Sequence, residues 1–397
     1  DSEAAPYSQL KWSLCQRRLR KLNTSIKEGF QSVLDYWPDS PEATASMYYI
    51  GQTYKDMGEI RKAQKAYREV MAVHPDHLVS VYAINDLIAI ATTLKDTKTR
   101  VELWKTLAFD IKRTRETSTI CRNASKNLAS YHFYQVAFDD GVAALETTWK
   151  GQTLASQVVA HLHAPIRGYS SDEKQRVRGH KLADVAVAWV GENVPKERET
   201  DEQKATARQH YYWIADLHES SRRDKRVEET YARIQKSFGT DDDVLGRLAA
   251  FLRRKGRYDE ARGVYARFQN KIEGNNQVAT SYRDQKQYEP CVLAYRRNVA
   301  LDVENPNRWH AVIAYTYHHY SHQYDKAIAV YQELLKADLK NNQTWLWNIA
   351  TAYRDWGKNK EAIGFYRQST NFPSNYTEMA LCHRRLKQYG EAVILYN

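Results

Sequence analysis

The stretch "MYYIGQTYKDMGEIRKAQKAYREVMAVHP", residues 47 to 75, decides the architecture. Gly51 is followed by Tyr54 after three positions, by Ala63 after twelve and by Tyr67 after sixteen, and Pro75 closes the run. The apolar positions on either side of Gly58 keep a helical period, so the segment reads as a helix, a tight turn and a second helix. Gly51 lets the second helix approach closely, and Ala63 does the same from the opposite side. A larger side chain at either place would overpack the contact, at about 1–3 kcal/mol. Tyr67 lies one turn beyond Ala63 on the same face. There it fills the gap to the next element, and burying such a ring contributes roughly 1.5–3 kcal/mol. Gly58 relaxes the turn, and Pro75 cannot continue a helical hydrogen-bond ladder.

The same intervals return along the chain. Ala215 leads to His218, Val227 and Tyr231; Ala249 leads to Leu252, Ala261 and Tyr265; Ala279 leads to Tyr282, Cys291 and Tyr295. Ala350 leads to Tyr353, Ala362 and Tyr366, and Ala380 leads to His383, Ala392 and Tyr396. Ala314 fits with Tyr317, Ala327 and Tyr331 if "HHYSHQYD" holds one extra residue in its turn. Gly256 and Gly357 stand where Gly58 does. Upstream, Ile26, Phe30, Val33 and Pro38 mark an earlier second helix, with "LKWSLCQRRLRKL" as its first.

This pattern resembles the tetratricopeptide repeat, a helix–turn–helix unit of about 34 residues. The resemblance implies an all-α fold, a right-handed superhelical solenoid. Residues 1–78 carry repeats, 79–205 hold divergent helical repeats with loops, and 206–397 form a second array. In the middle, degenerate units centre on Ala89 and Ala129, "APIRGYSSDEKQ" (164–175) reads as a loop, and "LADVAVAWVGENVP" (182–195) reads as a helix. "PKERETDEQK" (195–204) reads as a charged loop or a helix start.

Composition agrees with helices joined by short turns. Among 397 residues there are 28 Tyr and 10 Trp against only 16 Gly and 9 Pro. No apolar run reaches the roughly 20 residues of a membrane-spanning helix. The sequence opens at Asp1, and its polar start suits a processed chain, so a soluble cytoplasmic protein and an exported one both remain open. It closes just after Tyr396, within a second helix, so either further residues or a partner is expected over that face. Four cysteines lie far apart and form no CxxC pair, which argues against a zinc site or haem attachment. The triplets "NTS", "NAS", "NQT" and "NYT" fit the glycosylation pattern but support no claim by themselves.

The resemblance directs attention to the concave groove, lined mainly by first helices. Four residues after each small anchor stand Lys55, Glu219, Arg253, Arg283, His318, Arg354 and Arg384. All but Glu219 are basic, so the resemblance places a cationic ladder in the groove, suited to carboxylates or phosphates. Tyr48, Tyr212 and Trp347, three residues before their anchors, are candidate apolar contacts. Arg247 and Asn348 stand where some relatives clamp a terminal carboxylate, but Ala250 and Thr351 replace the Asn that clamp requires. The net charge of +11 favours an acidic partner. Nucleic acid is disfavoured, because the densest basic runs, "RRLRK" (17–21) and "RRKGR" (253–257), are short and read as solvated helix faces.

His318 and His322 have metal-like spacing but lack a third ligand, and "HLHAPIRG" (161–168) is no better placed. No catalytic or cofactor fingerprint occurs, so neither an enzyme nor a cofactor is expected. The expected function is a scaffold that binds protein partners, with an acidic segment as the suited chemistry. A fixed subunit of a large assembly is the alternative. An enzymatic or ligand-binding insert around His161, His163 or His180 is a third reading.

Overall fold

The computed structural model describes residues 4–75 and 77–396, which among themselves form helices and connections but no strand. They fall into two compact units, Asp1–Thr230 and Tyr231–Asn397. The first holds Ala5–Arg18 paired with the segment ending at Tyr36, then Pro41–Asp56 with Ile60–Val73, and Leu78–Thr93 with Thr97–Lys105. Ser118–Tyr134 with Phe138–Glu146 and Gly151–Ser171 with Arg176–Glu192 follow, and then Asp201–Ser220. The boundary lies within Asp224–Phe238. The second unit pairs Asp242–Arg254 with Tyr258–Tyr265, Lys271–Asp284 with Tyr288–Leu301, and Pro306–Tyr315 with Tyr324–Ala337. It continues with Asn342–Asp355 and Asn359–Gln368, then Ser374–Arg385 and Tyr389–Tyr396. Each helix packs chiefly on its sequence neighbours. Short turns make those neighbours antiparallel, so each unit is an all-α repeat solenoid of helix pairs.

Tyr67 is fully buried and joins Val81, Ile84 and Leu87 of the following helix in one core cluster. Tyr366 does the same with Met379 and Cys382. The anchor tyrosines therefore cement one pair to the next. Gly51 has a more specific reason than helix approach. A Cβ there would sit 2.6 Å from Cε1 of Tyr67, so the ring of the pair's own second helix takes that space.

A left-handed residue closes nearly every turn between paired helices. Gly58, Gly256 and Gly357 have φ of 78°, 76° and 84°. Arg20, Lys95, Val136, Arg222, Lys286, His322 and Lys387 hold the same place, with φ between 53° and 61°. After Gly58 the Glu59 N–H donates to the Tyr54 carbonyl at 2.9 Å, and the Gly58 N–H to that of Lys55 at 3.0 Å. At Val136 the Ala137 N–H donates to His132 and the Val136 N–H to Phe133, both at 3.0 Å. These are the paired bonds of the Schellman closure, which satisfies two carbonyls left open at a helix end.

Three expectations change. "HHYSHQYD" does not lengthen its turn; the extra residue is absorbed in a π-helical turn, Thr316–Tyr320, which still delivers His322 to the left-handed position. The loop expected at 164–175 is helical through Ser171, with Pro165 inside the helix. An interior proline costs about 3 kcal/mol, and burial of Val158, Leu162 and Ile166 along the same face offsets it. Ala89 is exposed and anchors nothing, whereas Ala129 is buried with Gly141 and Leu145 at the repeat's intervals. The charged segment before residue 204 ends in a capping box, Thr200 and Gln203 each closing on the other's backbone.

Candidate functional site

The last turn of each first helix carries the predicted cations, and the structure gives most of them a partner on the following pair. Lys55 Nζ lies 2.8 Å from Asp86 Oδ1. Arg354 Nη1 lies 2.6 Å from Glu378 Oε2 and also pairs with Asp355. Asp86 and Glu378 share one register, nine residues before the left-handed residues Lys95 and Lys387. A second register lies two residues before the left-handed position. There Arg253 pairs with Asp284, and His318 Nε2 lies 3.0 Å from Asp355 Oδ2. Arg283 meets an aromatic ring instead, its guanidinium 5.3 Å above Tyr320. Arg17, outside the predicted ladder, joins Asp56 in the same way at 2.7 Å.

The ladder thus binds the repeats to one another. Its charges are largely neutralised, and among the described residues only Arg384 at its far end is exposed without an acidic partner. His318 is 2% exposed and Tyr212 is 3% exposed, so neither is offered to a partner. The small space beside each anchor draws these side chains inward. Tyr48 is half-buried, donating to Asp86 Oδ2 at 2.9 Å and accepting from Gln52 Nε2 at 2.6 Å. Trp347 packs edge-on against Tyr366, their centroids 5.1 Å apart. Arg247 is tied to Asp243 on its own helix.

Aromatic rings missed by the sequence reading line the turn edge of the second unit. Tyr288 stacks with Tyr320 and Tyr324 with Trp356, each pair 6.4 Å apart, and Lys358 lies 3.4 Å over Trp356. Their signal was available, since each stands within two residues of a left-handed turn position. It could be read only once non-glycine residues were recognised there.

Two histidines of the middle segment serve packing. His161 Nδ1 lies 3.0 Å from Ser130 Oγ and His163 Nδ1 lies 2.9 Å from Ser220 Oγ, each bridging to another helix. Burial holds both imidazoles below the usual histidine range. Three potential metal ligands do not converge anywhere among the described residues. Burial also pushes the Cys291 and Cys382 thiols up to about 11, which leaves them poor nucleophiles at neutral pH.

This geometry defines a class, an all-helical repeat protein built of stacked pairs. Family models described as tetratricopeptide repeat match residues 45–77 and 317–376. At those positions the chain carries tetratricopeptide repeats. Among solved structures, it is similar to yeast Tom70, with 10% identity and a TM-score of 0.27 over 98% of this chain and 97% of that one. The Cut9–Hcn1 hetero-tetramer of APC/C gives 12% identity and a TM-score of 0.28 over 97% and 91%. A tetratricopeptide repeat protein from Parabacteroides merdae gives 9% and 0.31 over 66% and 90%. No role for this chain follows from similarities at that level. No curated protein sequence matches it. No helix among the described residues is long and apolar enough to cross a membrane.

Proposed function

We propose that this chain is a non-enzymatic scaffold that holds protein partners along its first-helix face and turn edges, an acidic partner segment being the chemistry it suits. One observation carries the reading. Successive pairs of the second unit present aromatic rings at fixed registers of the turn, Tyr288 with Tyr320 and Tyr324 with Trp356, with Lys358 over the last, so an extended partner meets the same chemistry repeatedly. The net charge of +11 draws acidic partners into encounter, an effect that salt screens.

Cross-linking tests it. The folded chain would be used to capture partners from its native extract, then treated with a lysine-reactive reagent. Cross-links should concentrate on Lys55, Lys286, Lys358 and Lys387 near the turns. Capture of no protein, or cross-links confined to second-helix faces, would overturn the reading.

A further inference from the structure

The two densest basic runs occupy equivalent places and each lines a pocket. In the first unit a pocket of about 440 Å³ is bounded by Leu14, Arg17, Arg18, Arg20, Tyr49 and Asp56. In the second, a pocket of about 330 Å³ is bounded by Ala250, Arg253, Arg254, Tyr258 and Asp284. Counted from the left-handed residues Arg20 and Gly256, Leu14 matches Ala250, Arg17 matches Arg253, and Arg18 matches Arg254. Asp56 and Asp284 likewise stand two residues before the left-handed Gly58 and Lys286 of the next pair. One constellation has thus been built twice, once in each unit.

We propose that each pocket is an anion site that takes a carboxylate side chain from an acidic segment of a protein partner. This rests on the protein-binding reading above and deepens it. The first arginine is set in advance. Arg17 Nε lies 2.8 Å and Nη2 2.7 Å from Asp56 Oδ2, Nη1 reaches Gln52 Oε1 at 2.8 Å, and the guanidinium lies 6.0 Å from the Tyr49 ring centroid. Three of its five N–H donors are engaged, leaving two for a ligand. A group held this way costs little ordering when a ligand arrives. In the first pocket Arg18 and Arg20 supply the charge. Arg18 and Arg20 are exposed and form no ion pair among the described residues.

Each pocket carries a net positive charge. Three guanidinium groups face one carboxylate in the first pocket, and two face one in the second. Arginine forks match the two oxygens of a carboxylate.

The test uses the full chain and a fluorescein-labelled hexaglutamate peptide, read by anisotropy at low and high salt. Two equivalents of peptide should bind, and Arg18→Glu and Arg254→Glu should each weaken one of the two sites about tenfold, the scale of a lost charge-assisted contact. The double variant should lose saturable binding. Arg18→Gln, which adds no negative charge, should weaken it in the same direction, and circular dichroism would verify folding. Lys360→Glu makes the same change of charge sign on an exposed side chain outside both pockets, and should leave affinity within about twofold. Equal loss in Lys360→Glu would reduce the sites to a diffuse field and overturn the proposal. It also fails if inorganic phosphate, or a thymidine oligonucleotide, binds more tightly than the peptide with the same dependence on Arg18 and Arg254. Partner capture that survives in the double variant would sink the pockets and leave the scaffold reading intact. Peptide binding that follows the variants, with no partner captured, would do the reverse.

Discussion

At the scale of single residues, Gly51 and Val136 illustrate opposite solutions. Gly51 gives up its side chain so that the Tyr67 ring can lie against the backbone. Gly51→Ala should therefore cost about 1–3 kcal/mol, seen as a lower midpoint in thermal or denaturant unfolding. Val136 is a β-branched residue with φ of 61°. The left-handed conformation costs about 1–2 kcal/mol for a residue with a Cβ. Val136→Gly should raise the midpoint, and an unchanged or lower one would show that its side chain contributes more than its backbone loses. His218 adds a dependence on pH. Burial, then Arg223 and Arg226, hold its imidazole down at about 4. The unfolded chain takes up a proton near the ordinary histidine value, whereas the folded chain does so only near 4. Stability from this group is thus full above that ordinary value and falls as the pH drops toward 4, by roughly 3 kcal/mol in all. Urea midpoints between neutral and acidic pH should fall, and His218→Gln should flatten that dependence.

At the scale of elements, the cationic residues join one helix pair to the next. Reversing Arg253 sets a carboxylate against Asp284, and reversing Arg354 sets one against Glu378 and Asp355. Each reversal should cost about 1–3 kcal/mol, beyond the 0–1 kcal/mol of an ordinary surface pair, because like charges replace opposite ones. Loss of partner binding in such variants would then report on folding as well as contact. The discriminating measurement is a charge swap. Arg253→Asp combined with Asp284→Arg should recover most of the midpoint lost in Arg253→Asp alone. No recovery would mean that the pair is incidental to the packing.

At the scale of the molecule, each helix pair meets its neighbours and little else, so damage should remain local. Tyr366 is fully buried among Ile363, Met379 and Cys382. Tyr366→Ala should cost about 3–5 kcal/mol by opening a cavity. Hydrogen exchange should quicken in Asn342–Asp355, Asn359–Gln368 and Ser374–Arg385 and stay near its original rate within Pro41–Asp56. Uniformly faster exchange would reveal one cooperative unit where the packing predicts several.

Much of this protein was legible from spacing alone. Gly51 and Ala63 required two helices in close contact, because a larger side chain at either would overpack it, whereas the Tyr67 ring against Gly51 came only from the structure. The copies with intact tyrosines, such as that ending at Tyr366, could be placed without coordinates. The middle pairs could not, because their turns use Lys95 and Val136 where glycine was the visible marker, and their closure lies in backbone hydrogen bonds. The pairing of the ladder also escaped the sequence. Lys55 and Asp86, or Arg253 and Asp284, are some thirty residues apart, so their neutralisation depends on how one pair stacks on another. The local pattern determined that helix pairs form and which faces they bury. Only stacking decided which charges face each other and which line a pocket, since Coulomb interactions depend on distance through space.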